Sequence, residues 1–173
     1  MSTSRMGATL VGTIAIALTL ASTASARQVD VPKRLGSDAI ARAHDSSLVV
    51  LLPSRINLDY DGELFADGEG DAHEVAYSLT LSGAEDCNGA NACFLAEFKG
   101  EDGAALGYKR TNVKLALGMK GYYKPSSCGA SCSPPSIQWI QKGVRYEIQA
   151  KALGGKAAFI TLANSAIKNG NRK

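Results

Sequence analysis

The sequence predicts an α+β fold: a curved antiparallel sheet with a C-terminal amphipathic helix packed on one face and disulfide-braced loops. Apolar and polar residues alternate over 75–82, which is the period of a half-buried strand. Over 156–169 the apolar spacing changes to that of a helix. Four cysteines lie in two close pairs between the strand-like segments. A sheet with one apolar face must bury that face, and the C-terminal helix is the element available to cover it.

Residues 1–26 have the organisation of a secretory signal peptide of bacterial type. A single charge, Arg5, precedes an apolar run over 7–20, which is shorter than the about 18 residues that a membrane-spanning helix needs. Ala24 and Ala26 place small side chains where signal peptidase admits only small residues. We therefore expect cleavage after Ala26 and export from the cytoplasm. The alternative is an uncleaved membrane anchor.

The exported part is expected to form one domain with short flanking segments. Residues 27–46 form an N-terminal segment in which Ser37 can cap a short helix over 37–43. The single α+β domain is assigned to 47–170, and a frayed tail to 171–173.

An apolar run and an acidic run open this domain. Residues 47–52 predict a buried strand, which Pro53 ends. The glycines and carboxylates of 59–71 favour a loop or turn. Carboxylates can hold calcium, but the EF-hand spacing needs glycine and glutamate where Leu64 and Gly70 stand. An irregular calcium site stays open as an alternative, and no metal site is predicted.

The middle of the chain predicts a series of antiparallel strands. The strand over 75–82 is followed by a cysteine loop and by another strand over 93–99, which together predict a hairpin with a long connection. Alternation returns over 112–117, and a short strand over 119–123 comes next.

Two further elements complete the sheet and its cover. Lys142-Gly143 predicts a tight turn between strands over 137–141 and 144–148. An amphipathic helix over 156–169 then ends before Gly170, which suits a C-terminal cap. The apolar side of this helix consists of Phe159, Leu162, Ala163, Ala166 and Ile167.

The four cysteines predict two local disulfides. Cys87 and Cys93 close one loop, and Cys128 and Cys132 close another. Both loops are short and rich in Gly, Asn or Ser, so they can bring the paired alpha carbons together, and an oxidising compartment favours the bonds. Structural zinc is one alternative, although the 87–93 spacing is wider than that of a zinc knuckle. A redox role is another, but the spacing at 128–132 is not C-x-x-C.

Charge and composition argue against several partner classes. The sequence has a formal charge of +3, with Lys and Arg scattered, whereas a nucleic-acid binder concentrates them in a stripe. The acidic 67–71 segment would repel phosphate, so no nucleotide cradle is predicted. No segment after residue 26 is apolar enough to span a bilayer. We therefore expect no nucleic-acid partner, no membrane span after cleavage and no cofactor.

The sequence predicts a binding surface more readily than a catalytic site. The only histidines are His44 and His73, and no Gly-x-Ser-x-Gly elbow exists, so no catalytic residue is assigned. The candidate binding surface consists of Tyr122, Tyr123 and Trp139, which flank the second cysteine loop. Adjacent strand residues face opposite sides, so one tyrosine is expected to be exposed. The alternative is that Trp139 and one tyrosine belong to the core.

Two motifs in the last 35 residues or so carry a resemblance. They are Trp139-x3-Gly143-x2-Tyr146 and, on the predicted helix, Ala163-Asn164-Ser165-Ala166-Ile167. Through these two motifs the C-terminal third resembles small exported bacterial proteins of unknown function. Some of these are thought to be related to envelope-stress and lipoprotein-carrier-like folds, in which a curved sheet cups a helix. The resemblance implies a fold and transfers no catalytic residue.

These patterns favour an exported, non-catalytic binding or interaction module of the bacterial envelope, whose sheet would cup an apolar ligand or a partner segment. Its partner is expected to be an envelope ligand or protein in the periplasm or outside the cell. An envelope-directed hydrolase or inhibitor is one alternative, and it would need His44 or His73 beside a serine or carboxylate in a cleft. A purely structural secreted protein is the other alternative.

Overall fold

The computed structural model describes residues 27–87, 89–108, 110–152 and 154–172, so the predicted signal peptide lies outside the described residues. The elements follow one another as β1 Arg27–Asp30, α1 Val31–His44, β2 Arg55–Leu58, β3 Phe65–Asp71, β4 Ala76–Ser82, β5 Phe94–Asp102, β6 Val113–Lys114, a 3₁₀ turn Ala116–Gly118, β7 Lys120–Lys124, β8 Ser127–Cys128, β9 Cys132–Ser133, β10 Ser136–Gln141, β11 Val144–Ala150 and α2 Gly155–Asn169.

A seven-stranded antiparallel sheet dominates the described part of the chain. Its strand order is β3-β4-β5-β11-β10-β7-β6, and β1-β2 and β8-β9 form two small separate ladders. Consecutive strands β3-β4-β5, β6-β7 and β10-β11 are neighbours, as hairpin connections require. Mixed helix and strand content, a large antiparallel sheet and a C-terminal helix confirm the predicted α+β class.

One face of the sheet carries the core. Alternate residues across the central strands meet in a buried row, in which Leu79 pairs with Phe98 and Phe98 with Ile148. The helix α2 lies against β10 and β11, and α1 lies against β3 and β4. All five apolar residues predicted for the C-terminal helix are buried. The opposite face of the sheet, here called the open face, carries the polar residues of each strand.

The segment 59–71, predicted to be a loop or turn, contains the edge strand β3. A beta carbon at Gly68 would lie 2.5 Å from the Ala39 carbonyl oxygen, and one at Gly70 would lie 2.4 Å from the Arg42 carbonyl oxygen. Helix α1 therefore rests on the bare backbone of this strand, which only glycine permits. The acidic residues that alternate with the glycines, Asp67, Glu69 and Asp71, lie on the open face, so the segment does alternate with the period of a strand.

The segment 47–52, predicted to be a buried strand, is buried only at Val50, Leu51 and Leu52, and it is not a member of the sheet. Leu51 forms an isolated bridge with Asn171, whose side-chain oxygen also accepts a hydrogen bond from the Val50 amide at 2.9 Å. The amide of Arg172 donates to the Val50 carbonyl at 2.9 Å. The prediction of a frayed tail was therefore wrong for Asn171 and Arg172, which hold this segment from the C-terminal side.

The predicted N-terminal helix is longer than the sequence indicated. It begins at Val31, after Asp30 caps it by accepting a hydrogen bond from the Lys33 amide at 3.1 Å. Gly36 interrupts it with a φ of 80°, so the predicted segment 37–43 is the part that follows this kink. The strand predicted over 112–117 is shorter than expected, because a 3₁₀ turn replaces its second half.

Candidate functional site

The structure distributes the three predicted surface aromatics over both faces of the sheet. Trp139 is 1 % exposed, and its ring stacks on Tyr146 with the centroids 5.6 Å apart. Tyr123 lies on the same covered face, with its ring centroid 5.5 Å from that of Phe159. Tyr122 lies on the open face. The three residues therefore do not form one surface, and Trp139 belongs to the core.

An aromatic stack does occupy the open face, but the partner of Tyr122 is Tyr108. The two ring centroids are 3.8 Å apart, with 20° between the ring planes. The loop that carries Tyr108 is held on the sheet, because the Gly107 amide donates to Gln138 Oε1 at 3.0 Å and Arg145 donates to the Ala105 carbonyl at 3.1 Å. This arrangement gives the open face an ordered aromatic platform.

A shallow apolar depression adjoins this platform. It has a volume of about 440 Å³. Its lining includes Leu106, Tyr108 and Ile140, and Ile140 is 41 % exposed.

The clearest feature of this face is that acidic and basic residues are concentrated in different parts of the chain. The net charge of the whole chain does not reveal this separation. Residues 27–102 include 15 acidic and 6 basic side chains, whereas residues 103–173 include 1 acidic and 12 basic side chains. The acidic part of the chain supplies β3, β4 and β5, and the basic part supplies β11, β10, β7 and β6. Because these two groups of strands occupy opposite halves of the sheet, the open face has an acidic half and a basic half.

Lysines line the outer strands of the basic half. Lys120, Tyr122 and Lys124 alternate along β7 and so share the open face. Lys114 on β6 lies directly opposite Lys120. The ion pairs among the described residues are Arg42–Asp67, Lys99–Glu97 and Arg145–Glu101, and none of them involves these lysines. The one acidic residue of the basic half, Glu147, is on β11, with β10 between it and β7.

The acidic half has a depression of its own, with a volume of about 360 Å³. Glu69, Asp71, Glu74, Lys99 and Glu101 contribute to its lining. Hydrogen bonds from the Glu74 and His73 amides lower the pKa of Asp71 below its usual range. Within the described residues, no three histidine, cysteine or carboxylate side chains are grouped so that they could hold a metal ion.

The two histidines occupy different parts of the molecule. His44 Nε2 lies 2.6 Å from the Arg172 carbonyl oxygen, so this ring connects the end of α1 to the C-terminal segment. His73 is exposed in the turn between β3 and β4, and its backbone amide donates to Asp71. The contacts of His44 are therefore those of a structural link between two segments.

Both predicted disulfides are confirmed. Cys87 bonds Cys93 with the alpha carbons 5.7 Å apart, and Cys128 bonds Cys132 with the alpha carbons 4.0 Å apart. The two loops touch, because Asn91 Nδ2 donates to the Cys132 carbonyl at 3.0 Å. This local pairing uses all four sulfur atoms, so the thiolates that a zinc site needs are not present.

Within the described residues, neither helix combines the length and the apolarity that a membrane crossing requires. Comparisons with protein-family models, with curated proteins and with solved structures find no match to this chain, so the function has to be argued from its own residues.

Proposed function

We propose that the chain is an exported, non-catalytic interaction module that binds an anionic partner through the basic half of its open face. This basic surface is defined by Lys114, Lys120, Lys124, Tyr122 and Tyr108. The observation that carries the proposal is the separation of charge between the two halves of one sheet.

Distance separates the outermost strands of the acidic half from those of the basic half. Neighbouring strands are about 4.8 Å apart, so the six intervals from β3 to β6 span roughly 29 Å. The Debye length at physiological ionic strength is about 8 Å. The carboxylates of β3 therefore do not neutralise the potential at β6 and β7.

The arrangement of the lysines favours the binding of an anionic ligand, because two of them repel each other in its absence. Lys114 and Lys120 are a directly opposed cross-strand pair of like charges, which destabilises a hairpin. An anion placed between them would relieve this repulsion. The Tyr108–Tyr122 stack beside them adds an apolar and hydrogen-bonding platform, so the surface can bind more than a simple counterion.

The covered face of the sheet offers a ligand much less room. Trp139, Phe98 and Phe159 fill the space between the sheet and the helices, and each is at most 1 % exposed. The proposal therefore places the ligand on the open face, and the partner is bound outside the fold rather than enclosed within it.

Export is part of the proposal, and two features support it. The predicted signal peptide would deliver the chain to an oxidising compartment. The disulfides of 87–93 and 128–132 are stable there, whereas cytosolic thiols are kept reduced. An anionic partner in such a compartment would be a component of the cell envelope.

Binding to a soluble polyanion tests the proposal. The exported chain, residues 27–173, is expected to bind polyglutamate with an affinity that falls as salt is added. K120Q/K124Q should bind about tenfold more weakly. The matched control, K33Q/K168Q, removes the same charge from α1 and α2 and should bind like the unmodified protein. Equal losses in both variants, or no binding of polyglutamate at low salt, would refute the proposal.

A further inference from the structure

The most exposed large apolar side chain of the described residues adjoins the basic surface in the chain, between Lys114 and Lys120. Leu117 is 78 % exposed at the tip of the hairpin that joins β6 and β7. Its backbone has a φ of 55° and a ψ of 28°, in the left-handed region that ordinary residues avoid. A leucine here is unfavourable both for the backbone and for exposure to water, and Asn or Gly would suit the position better.

The turn that presents Leu117 is firmly held. The Ala116 amide donates to Asn164 Oδ1 of α2 at 2.6 Å, and the Leu115 amide donates to the Met119 carbonyl at 2.8 Å. Leu115 is buried beneath the turn. The exposure of Leu117 is therefore a property of a fixed turn, because its neighbours are bonded to the rest of the fold.

Two lysines flank this apolar tip on the open-face side. Lys114 and Lys120 are the last and first residues of the strands that enter and leave the turn, and both are exposed. No acidic residue occurs between 103 and 146, so the sequence around the tip adds no competing carboxylate. An exposed leucine between two unpaired lysines matches the two zones of an anionic bilayer surface, which are acyl chains below and negative headgroups above.

We propose that the β6–β7 hairpin docks on an anionic lipid bilayer, with Leu117 inserted at the acyl boundary and Lys114 and Lys120 among the headgroups. This inference rests on the proposed function and names its partner. Charge alone would suit a soluble polyanion equally well, but a soluble polyanion has no apolar layer to receive the leucine. Because 78 % of the leucine is exposed to solvent, insertion into the bilayer can bury it.

Binding to lipid vesicles distinguishes a bilayer partner from a soluble polyanion. The exported chain should co-sediment with phosphatidylglycerol vesicles and not with phosphatidylcholine vesicles, and K114Q should weaken this binding roughly fivefold. L117N should weaken it about tenfold, because the buried apolar area is lost. The same L117N variant should bind polyglutamate like the unmodified protein, and it should remain folded since Asn tolerates the left-handed conformation.

A tryptophan at the tip reports insertion directly. The native Trp139 is 1 % exposed and so should not respond to vesicles. In L117W the added indole should shift its emission to shorter wavelength with phosphatidylglycerol vesicles and remain unchanged with polyglutamate. I140W is the matched control on the open face, and its emission should change much less than that of L117W.

The outcomes distinguish the two proposals. Binding to polyglutamate without binding to vesicles would overturn the bilayer inference and leave the proposed function standing. Binding to neither would overturn both. Vesicle binding that L117N leaves intact, with no shift in L117W emission, would also overturn the inference. If the protein did not bind vesicles but formed a dimer in solution that dissociates in the L117N variant, the tip would be assigned to contact with a second copy of the chain instead.

Discussion

The side-chain amide of Asn112 pairs with both backbone polar groups of Tyr123. Its Oδ1 accepts from the Tyr123 amide at 2.8 Å, and its Nδ2 donates to the Tyr123 carbonyl at 2.9 Å. The edge strand β6 pairs only with Lys120 and Gly121 of β7, so Asn112 covers the next unpaired position of that strand. A side chain thus closes an edge that another strand could otherwise extend.

The substitution N112A should open this edge. We expect a loss of about 1–3 kcal/mol in the free energy of unfolding, because two hydrogen bonds are removed. Aggregation should also increase, since backbone groups of β7 become available for pairing. Urea unfolding and light scattering would measure the two effects. N57A, at an exposed asparagine of β2, should change neither; equal behaviour of the two variants would contradict this role for Asn112.

The contact between α1 and the edge strand β3 gives a second prediction. In G70A the new beta carbon would lie 2.4 Å from the Arg42 carbonyl oxygen, so the helix must move away from the strand. We expect about 1–3 kcal/mol of destabilisation, as overpacking typically causes. G129A is the control, because nothing lies within 4 Å of a beta carbon at Gly129. Chemical denaturation showing G70A to be as stable as G129A would be inconsistent with this packing.

The same contact explains what the sequence could and could not predict. The residues 67–71 alternate acidic side chains with glycine, which is a strand period, but glycine disfavours strands and the charges favoured a turn. Only the presence of α1 above Gly68 and Gly70 makes glycine the suitable residue. By contrast, β4, β11 and α2 bury alternating or helically spaced apolar residues, so their local pattern was enough to predict them.

The candidate site was only partly predictable from the sequence. The segregation of charge is visible in the sequence once the two halves are counted separately, and a single total of +3 conceals it. The stack of Tyr108 on Tyr122 was not predictable, because it depends on how the loop around Gly107 folds back onto Gln138. Similarly, the 47–52 segment bonds to Asn171 and Arg172 near the C-terminus, which local patterns do not connect to it.

The two disulfides should differ in how readily thiols reduce them. Cys128 and Cys132 are both exposed, whereas Cys87 is 7 % exposed. Because exchange requires a thiolate to reach a sulfur atom, the 128–132 bond should open at a lower thiol concentration. Alkylation followed by mass spectrometry would identify the order. The variant C128S/C132S should show only the reduction step that occurs at the higher thiol concentration. Alkylation of Cys87 and Cys93 at a lower thiol concentration than Cys128 and Cys132 would contradict the prediction.

Two buried tyrosines should make the fold sensitive to alkaline pH. Burial raises the pKa of Tyr146 to about 12, and it also raises the pKa of Tyr77 above the usual value of 10.0. The unfolded chain ionises these groups from about pH 10, so stability should be complete below pH 10 and fall as the pH rises above it. Urea unfolding across this range would measure the loss.

The variant Y146F separates titration from packing. It removes the hydrogen bond from Tyr146 to the Val49 carbonyl, so it should be less stable at neutral pH. Because one titrating group is gone, its stability should fall less steeply above pH 10 than that of the unmodified protein. An unchanged slope in this variant would show that Tyr146 does not contribute to the alkaline loss.

The central claim is that an anionic partner binds the basic half of the open face, and lysine footprinting tests it most directly. The chain of residues 27–173 would be treated with an acylating reagent with and without polyglutamate, and the modification of each lysine would be followed by mass spectrometry. The account predicts that polyglutamate protects Lys114, Lys120 and Lys124 while Lys33 and Lys168 react as before. Protection spread evenly over all five lysines, or confined to Lys33 and Lys168, would contradict it.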